Sequence, residues 1–124
     1  MPENPLISEI WTTKVYYRDS SGPYKVRPVL VVNHDEGSGQ FTIQEITSVP
    51  PGKNFFGTFK EPIIQWLSCG LKEQSYVKCY PSNTHLVERV ALHEKIGLMD
   101  EEDFINIVHK ILDSKAIAVA TKKV

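Results

Sequence analysis

Cysteine is scarce in this sequence: Cys69 and Cys79 are the only two in 124 residues. They fall on what read as different elements, so no disulfide framework is expected, and free thiols in a reducing, cytoplasmic setting are. Long hydrophobic runs are missing. No stretch approaches the roughly 18 apolar residues of a membrane span, which excludes a helical membrane protein. Residues 1–8 have neither a basic region nor an apolar stretch and do not read as a secretion signal. Net charge is nearly absent as well, −1 from 14 Lys and Arg against 15 Asp and Glu. Nucleic-acid binders ordinarily carry a basic excess, and this chain does not advertise one. Distribution qualifies the sum. Residues 10–34 hold Lys14, Arg18, Lys25 and Arg27 against Asp19 alone, while acid concentrates at Asp100, Glu101, Glu102 and Asp103. There is no internal repeat, low-complexity tract or linker.

What is present is a globular composition, with 41% hydrophobic and 23% charged residues. The length suits one domain over residues 1–124, which buries about two-thirds of its unfolded surface and needs no metal or disulfide to fold. Residues 9–17 are rich in β-branched and aromatic side chains and predict a strand. Residues 18–23 are turn chemistry. Residues 26–33 form a continuous apolar run with Pro28 near its start, which predicts a strand buried on both faces. After a polar, glycine-bearing loop over 34–39, residues 41–47 alternate Phe41, Ile43 and Glu45 with Thr42, Gln44 and Ile46. Pro50-Pro51-Gly52-Lys53-Asn54 opens a long excursion. Within it residues 62–67 predict a short helical turn, Pro62 at its first position and Gly70 just past its end. Strands are expected over 75–80 and 84–90.

The clearest helix starts late. Asp100 is its N-cap and Asp103 completes a carboxylate variant of the capping box. Phe104, Ile105, Val108, Ile111 and Leu112 form its apolar stripe. Its acidic first turn complements the helix dipole, so the acid cluster has a structural explanation. Five or six short strands and one late helix predict a mainly β fold: a small, strongly bent barrel with the helix packed on one side or end.

A geometric point follows for residues 26–47. A hairpin centred on Gly37 pairs residues whose numbers add to 74, which sets Arg27 opposite Thr47 at its open end. Directly opposed side chains have Cβ atoms about 5 Å apart. A guanidinium can grip phosphate through two hydrogen bonds and a hydroxyl can add one more. Pattern alone favours the plainer reading, a surface arginine and a threonine ending a strand, since exposed Arg and Thr are common.

The motifs add a resemblance. Glu9-Ile10-Trp11 followed by Lys25-Val26-Arg27-Pro28-Val29-Leu30-Val31-Val32 resembles the opening of MazF/PemK toxins. Glu45-Ile46-Thr47-Ser48 resembles the family's next motif, a strand ending in Thr or Thr-Ser. Ile64-Gln65-Trp66, Gly70-Leu71-Lys72 and Ser75-Tyr76-Val77-Lys78 are similar to a PemK-like subgroup. Lys95-Ile96-Gly97-Leu98 before a capped acidic helix matches the family's ending. The similarity runs over about residues 8 to 113, in the family's order and spacing. It implies an SH3-like barrel that forms a homodimer and a metal-independent endoribonuclease that needs no cofactor. The 2′-hydroxyl of single-stranded RNA attacks the adjacent phosphate in such an enzyme, leaving 2′,3′-cyclic phosphate and 5′-hydroxyl ends. A cognate antitoxin would block it with an acidic segment. Carried over position by position, Arg27, Thr47 and Lys78 are the expected catalytic residues, and Lys25, Ser48, Lys53 and Trp66 the expected RNA contacts.

The sequence departs from the family where some members carry an Arg-x-Asp pair; Lys78-Cys79-Tyr80 stands there instead. Other members place a Glu in the loop before Arg-Pro, where this chain offers Asp19, with Tyr24 nearby. The general base is therefore unassigned and weakened activity is expected. Trp11 reads as core or dimer interface rather than a base-stacking platform, whereas Trp66 suits either packing or stacking. Lys60 reads as solvated, as Lys53 does where it is not a groove contact. His34, His85, His93 and His109 have no metal-ligand spacing and read as scattered surface residues. Cys79 reads as an inert buried thiol rather than a nucleophile. The alternative to the ribonuclease is a non-catalytic barrel of the same fold that binds a protein or RNA partner; the missing Arg-x-Asp pair favours it, and the retained Arg27 and Thr47 favour the enzyme.

Overall fold

The structure, a computed structural model, describes residues 4–15 and 25–122. The predicted turn over residues 18–23, and with it Asp19 and Tyr24, lies outside the described residues. Seven strands are followed by one helix: β1 (Glu9–Val15), β2 (Lys25–His34), β3 (Phe41–Thr47), β4 (Lys60–Pro62), β5 (Tyr76–Lys78), β6 (Thr84–Val87), β7 (Lys95–Leu98) and α1 (Glu101–Lys122). All pairings are antiparallel, in the order β4-β5-β3-β2-β1-β7, with β6 also paired to β3. β3 thus has two neighbours along one edge. Residues 41–44 pair with β6, and Ile46 and Thr47 pair with β5.

The expected hairpin register holds over residues 29–31 and fails next to the loop. Val29 pairs with Glu45, Leu30 with Gln44 and Val31 with Ile43, before a bulge near Val32 shifts the ladder by one towards the loop. Strand alternation then sorts side chains onto two faces. Ile10, Leu30, Ile46 and Val77 pack on one face with Ile107 and Ile111 of α1. Trp11, Val29, Val31, Phe41, Ile43 and Leu92 pack on the other. The burial expected over residues 26–33 is confined to 29–31, where both faces of β2 are covered; Val26 is 57% exposed and Asn33 is exposed too. Trp11 belongs to this core. Its indole N–H donates to Glu9 at 3.0 Å and the Arg89 guanidinium lies 4.8 Å over its ring.

Three expectations are corrected. Pro62 ends β4 rather than starting a helical turn. The short helix of the excursion is a 3-10 turn at Phe55–Phe59, capped by Asn54, whose side chain accepts from the Gly57 N–H at 2.8 Å. Residues 64–70 form hydrogen-bonded turns closed by a Schellman pair, Gly70 N to Leu67 O at 3.2 Å and Leu71 N to Trp66 O at 3.1 Å. Gly70 takes the left-handed φ of 92° that this closure requires. The strand expected over 84–90 ends at Val87 and gives way to a 3-10 turn at Arg89–Ala91.

The helix is also rotated from its expected seating. Asp100 caps it through the Asp103 N–H at 3.3 Å, but the buried Asp103 carboxylate accepts from the Gln65 N–H at 2.9 Å and ties the excursion to α1. Ile107, Ile111 and Ser114 face the sheet, while Ile105 and Leu112 are 47% and 57% exposed. Ser114 earns its buried place through its hydroxyl, 2.5 Å from the Cys79 carbonyl and 2.7 Å from that of Ile111. Among the described residues no helix is long and apolar enough to cross a membrane.

Candidate functional site

Three concavities run along the sheet where its apolar covering stops. The central one, about 270 Å³, is lined by Arg27, Glu45, Thr47, Val49 and Lys78 among others. A larger one of about 590 Å³ shares Arg27 and Thr47 with it and adds Ser48, Lys72 and Glu94. A third of about 450 Å³ shares Val49 and Lys78 and continues to Asn54, Lys60 and Asn83. The shared lining residues make these a continuous track with Arg27, Thr47 and Lys78 at its middle.

The ladder explains the position. On one face of the β2–β3 hairpin the rung of Val31 and Ile43 is buried and the next, Val29 and Glu45, ends the ladder; Arg27 and Thr47 each lie two residues further along their strands. The face turns from apolar to polar within two rungs. Arg27 is exposed and Thr47 half-buried. The Thr47 hydroxyl oxygen accepts from the Val49 N–H at 3.1 Å, which orients the group and keeps its own proton as a donor. Tyr76 pairs with Thr47 across β3 and β5. Two residues along β5, Lys78 reaches Glu45, with Nζ 3.7 Å from Oε1.

Glu45 was not among the site residues expected from sequence, and it sits at the centre. His85 Nε2 lies 2.7 Å from Glu45 Oε2, and the Asn83 amide donates to the same oxygen at 3.4 Å. The alternation on β3 already put Glu45 on the face of Thr47. Its partners, from two strands far along the chain, were not legible.

The other expected contacts scatter. Ser48 joins the larger concavity. Lys25 is exposed at the start of β2 and Lys53 is exposed before the 3-10 turn; neither lines the track. Trp66 is half-buried and packs against the main core. Cys79 is buried, its thiol donates to the Val77 carbonyl at 3.4 Å, and burial first, with the Glu61 charge second, pushes its pKa up to about 12. Burial raises Cys69 also. Neither thiol is disposed to act as a nucleophile. Among the described residues no three His, Cys, Asp or Glu side chains are grouped to hold a metal ion.

No protein-family model matches this sequence, and no curated protein matches it. Solved structures do. The Mycobacterium tuberculosis toxin MazF-mt6 superposes with a TM-score of 0.65 at 21% identity, over 87% of this chain and 96% of that one. The chain has the MazF toxin fold. A mycobacterial endoribonuclease in complex with its cognate antitoxin gives a TM-score of 0.66 at 14% identity, covering 90% of this chain and 95% of that one. A MazE–MazF structure from Deinococcus radiodurans gives 0.62 at 15% identity, over 88% and 94% of the two chains. The MazF fold accounts for the strand order and the late helix.

Proposed function

We propose that this protein is a cytoplasmic toxin of the toxin–antitoxin type, a metal-independent endoribonuclease that cuts single-stranded RNA. The observation that carries the reading is the convergence of Arg27, Thr47 and Lys78 on one concavity at the middle of a continuous track. A track suits an unpaired strand, and two cations with a hydroxyl suit the phosphate that is cut. Arg27 stabilises the charge that builds on the phosphoryl oxygens and Thr47 donates one further hydrogen bond. Ser48 and Lys72 line the track on one side and Lys60 on the other. Lys25, Lys53 and Trp66 would meet RNA beyond it. The reaction joins O2′ to phosphorus and expels the 5′-oxygen, leaving 2′,3′-cyclic phosphate.

A cognate antitoxin would occupy the same track and cover its cations. The chain would act as a homodimer. Trp11 is committed to its own core and does not supply that surface. Ile105, Leu112 and Val119, seven residues apart and exposed along α1, supply apolar surface instead. The test is purified protein with single-stranded RNA. Discrete cleavage is expected. Intact RNA that still binds would favour the non-catalytic barrel.

A further inference from the structure

Glu45 is not explained by stability. It stands opposite Val29, one rung from the buried pair Val31 and Ile43, where an apolar residue would extend the core. Its ion pair with Lys78 is a third exposed on both sides, 35% and 32%, and such pairs contribute little. Yet three elements converge on this one carboxylate: Lys78 from β5, His85 from β6 and Asn83 from the 3-10 turn Pro81–Asn83. Convergence is possible because β3 exchanges β6 for β5 at this residue. The carboxylate lines the concavity that Arg27, Thr47 and Lys78 share, whereas His85 does not.

We infer that Glu45 is the general base of this site, with Lys78 the acid, and with His85 and Asn83 positioning the carboxylate. The inference rests on the endoribonuclease reading above. The Glu45 carboxylate takes the proton of the 2′-hydroxyl, and an O2′ lone pair forms the O2′–P bond. The P–O5′ bond breaks with its electron pair on O5′. The Lys78 ammonium gives O5′ a proton. This leaves a neutral Glu45 beside a neutral Lys78, 3.7 Å apart, and the proton returns from one to the other. No co-reactant is consumed. The carboxylate thus fills the role that the absent Arg-x-Asp pair leaves open. The charged or titratable groups facing it are Lys78, His85 and, across the concavity, Arg27.

The experiment uses the full chain and a single-stranded RNA containing a site mapped with the wild type. Glu45→Gln keeps the shape and should lower the single-turnover rate about a hundred-fold or more, as for removal of a general base. Its affinity for the same RNA with 2′-deoxyribose at the cleaved position should match wild type. A second substrate carries sulfur in place of the scissile 5′-oxygen, a leaving group that needs no proton. Lys78→Ala should recover most of its rate on that substrate, and Glu45→Gln should not. His85→Gln, which can still hydrogen-bond Glu45, should retain more activity than His85→Ala. Wild-type rates in Glu45→Gln, or recovery of Glu45→Gln with the sulfur substrate, would overturn the assignment while leaving the endoribonuclease reading intact. A larger loss in His85→Gln than in Glu45→Gln would move the base to His85. A wild type that cuts no RNA overturns both readings together.

Discussion

Glu9 and Glu45 each meet a lysine on a neighbouring strand, and their surroundings give them opposite uses. The Glu9 side chain is 6% exposed; it accepts from the Leu6 N–H at 2.8 Å and the Trp11 indole at 3.0 Å, and its second oxygen lies 2.8 Å from Lys95 Nζ. Burial alone pushes its pKa upward, but the hydrogen bonds from Lys95, Leu6 and Trp11 outweigh it and hold Glu9 below its ordinary 4.5. Every acceptor is engaged, so Glu9 fastens β1 to β7. Glu45 is half-buried, open to a concavity and looser towards its lysine at 3.7 Å. Both carboxylates have three partners, but Glu9 is enclosed by its own, whereas Glu45 is 32% exposed beside a concavity where a substrate can reach it. Accessibility, more than the presence of an ion pair, separates an acid that only holds structure from one that a substrate can reach.

The largest effect is expected at the guanidinium that shares the Glu45 concavity. Arg27→Ala should lose about a hundred- to a thousand-fold in cleavage rate, as for removing one preorganised donor. Arg27→Lys should recover little, since a point charge cannot reproduce the fork. Arrested growth of host cells on induction, relieved in Arg27→Ala at equal expression, is the practical assay; equal toxicity would remove Arg27 from the mechanism. Thr47→Val should cost less than Arg27→Ala in the same kinetic measurement. Both variants should melt close to the wild type, because Arg27 is exposed and Thr47 ends its strand.

At the other carboxylate the outcome should invert. Glu9→Gln should destabilise the fold by about 2 kcal/mol, the scale of hydrogen bonds to a charged group, while cleavage stays near the wild-type rate. Because the folded pKa of Glu9 is depressed, its contribution is present above pH 4.5 and is lost as the pH falls through the lowered value. Melting curves from neutral to acid pH should therefore converge for wild type and Glu9→Gln below that point. A constant gap between them would assign the stabilisation elsewhere. The smallest effect concerns association. Leu112→Glu should shift a dimer towards the 14.1 kDa monomer in sedimentation, with little change in melting.

The same contrast separates what the sequence could show from what it could not. The β2–β3 hairpin was legible because two strand-like runs flank a polar, glycine-bearing loop, whereas the bulge near Val32 that sets the pairing of residues 29–31 was not. Arg27 and Thr47 stood out through the resemblance of their motifs, which the arithmetic alone did not decide. β4 and β7 were not legible, since strands of three and four residues bounded by Pro62 or containing Gly97 carry no periodic signal. Gly97 is there for contact: a Cβ would collide with the Cys69 carbonyl of the excursion. The helix seating was missed because α1 has more apolar residues than one face can bury, and because buried Ser114 reads as polar. Glu45 was missed for a tertiary reason. Its lysine and histidine arrive from β5 and β6, and nothing local places those strands beside it.

Attack by the 2′-hydroxyl without a metal is read from the ends of the RNA fragments made by the wild type in the presence of EDTA. Cleavage should persist and leave 2′,3′-cyclic phosphate and 5′-hydroxyl ends, the products of attack by the neighbouring 2′-hydroxyl. An absolute requirement for a divalent cation, or fragments ending in 3′-hydroxyl and 5′-phosphate, would contradict it.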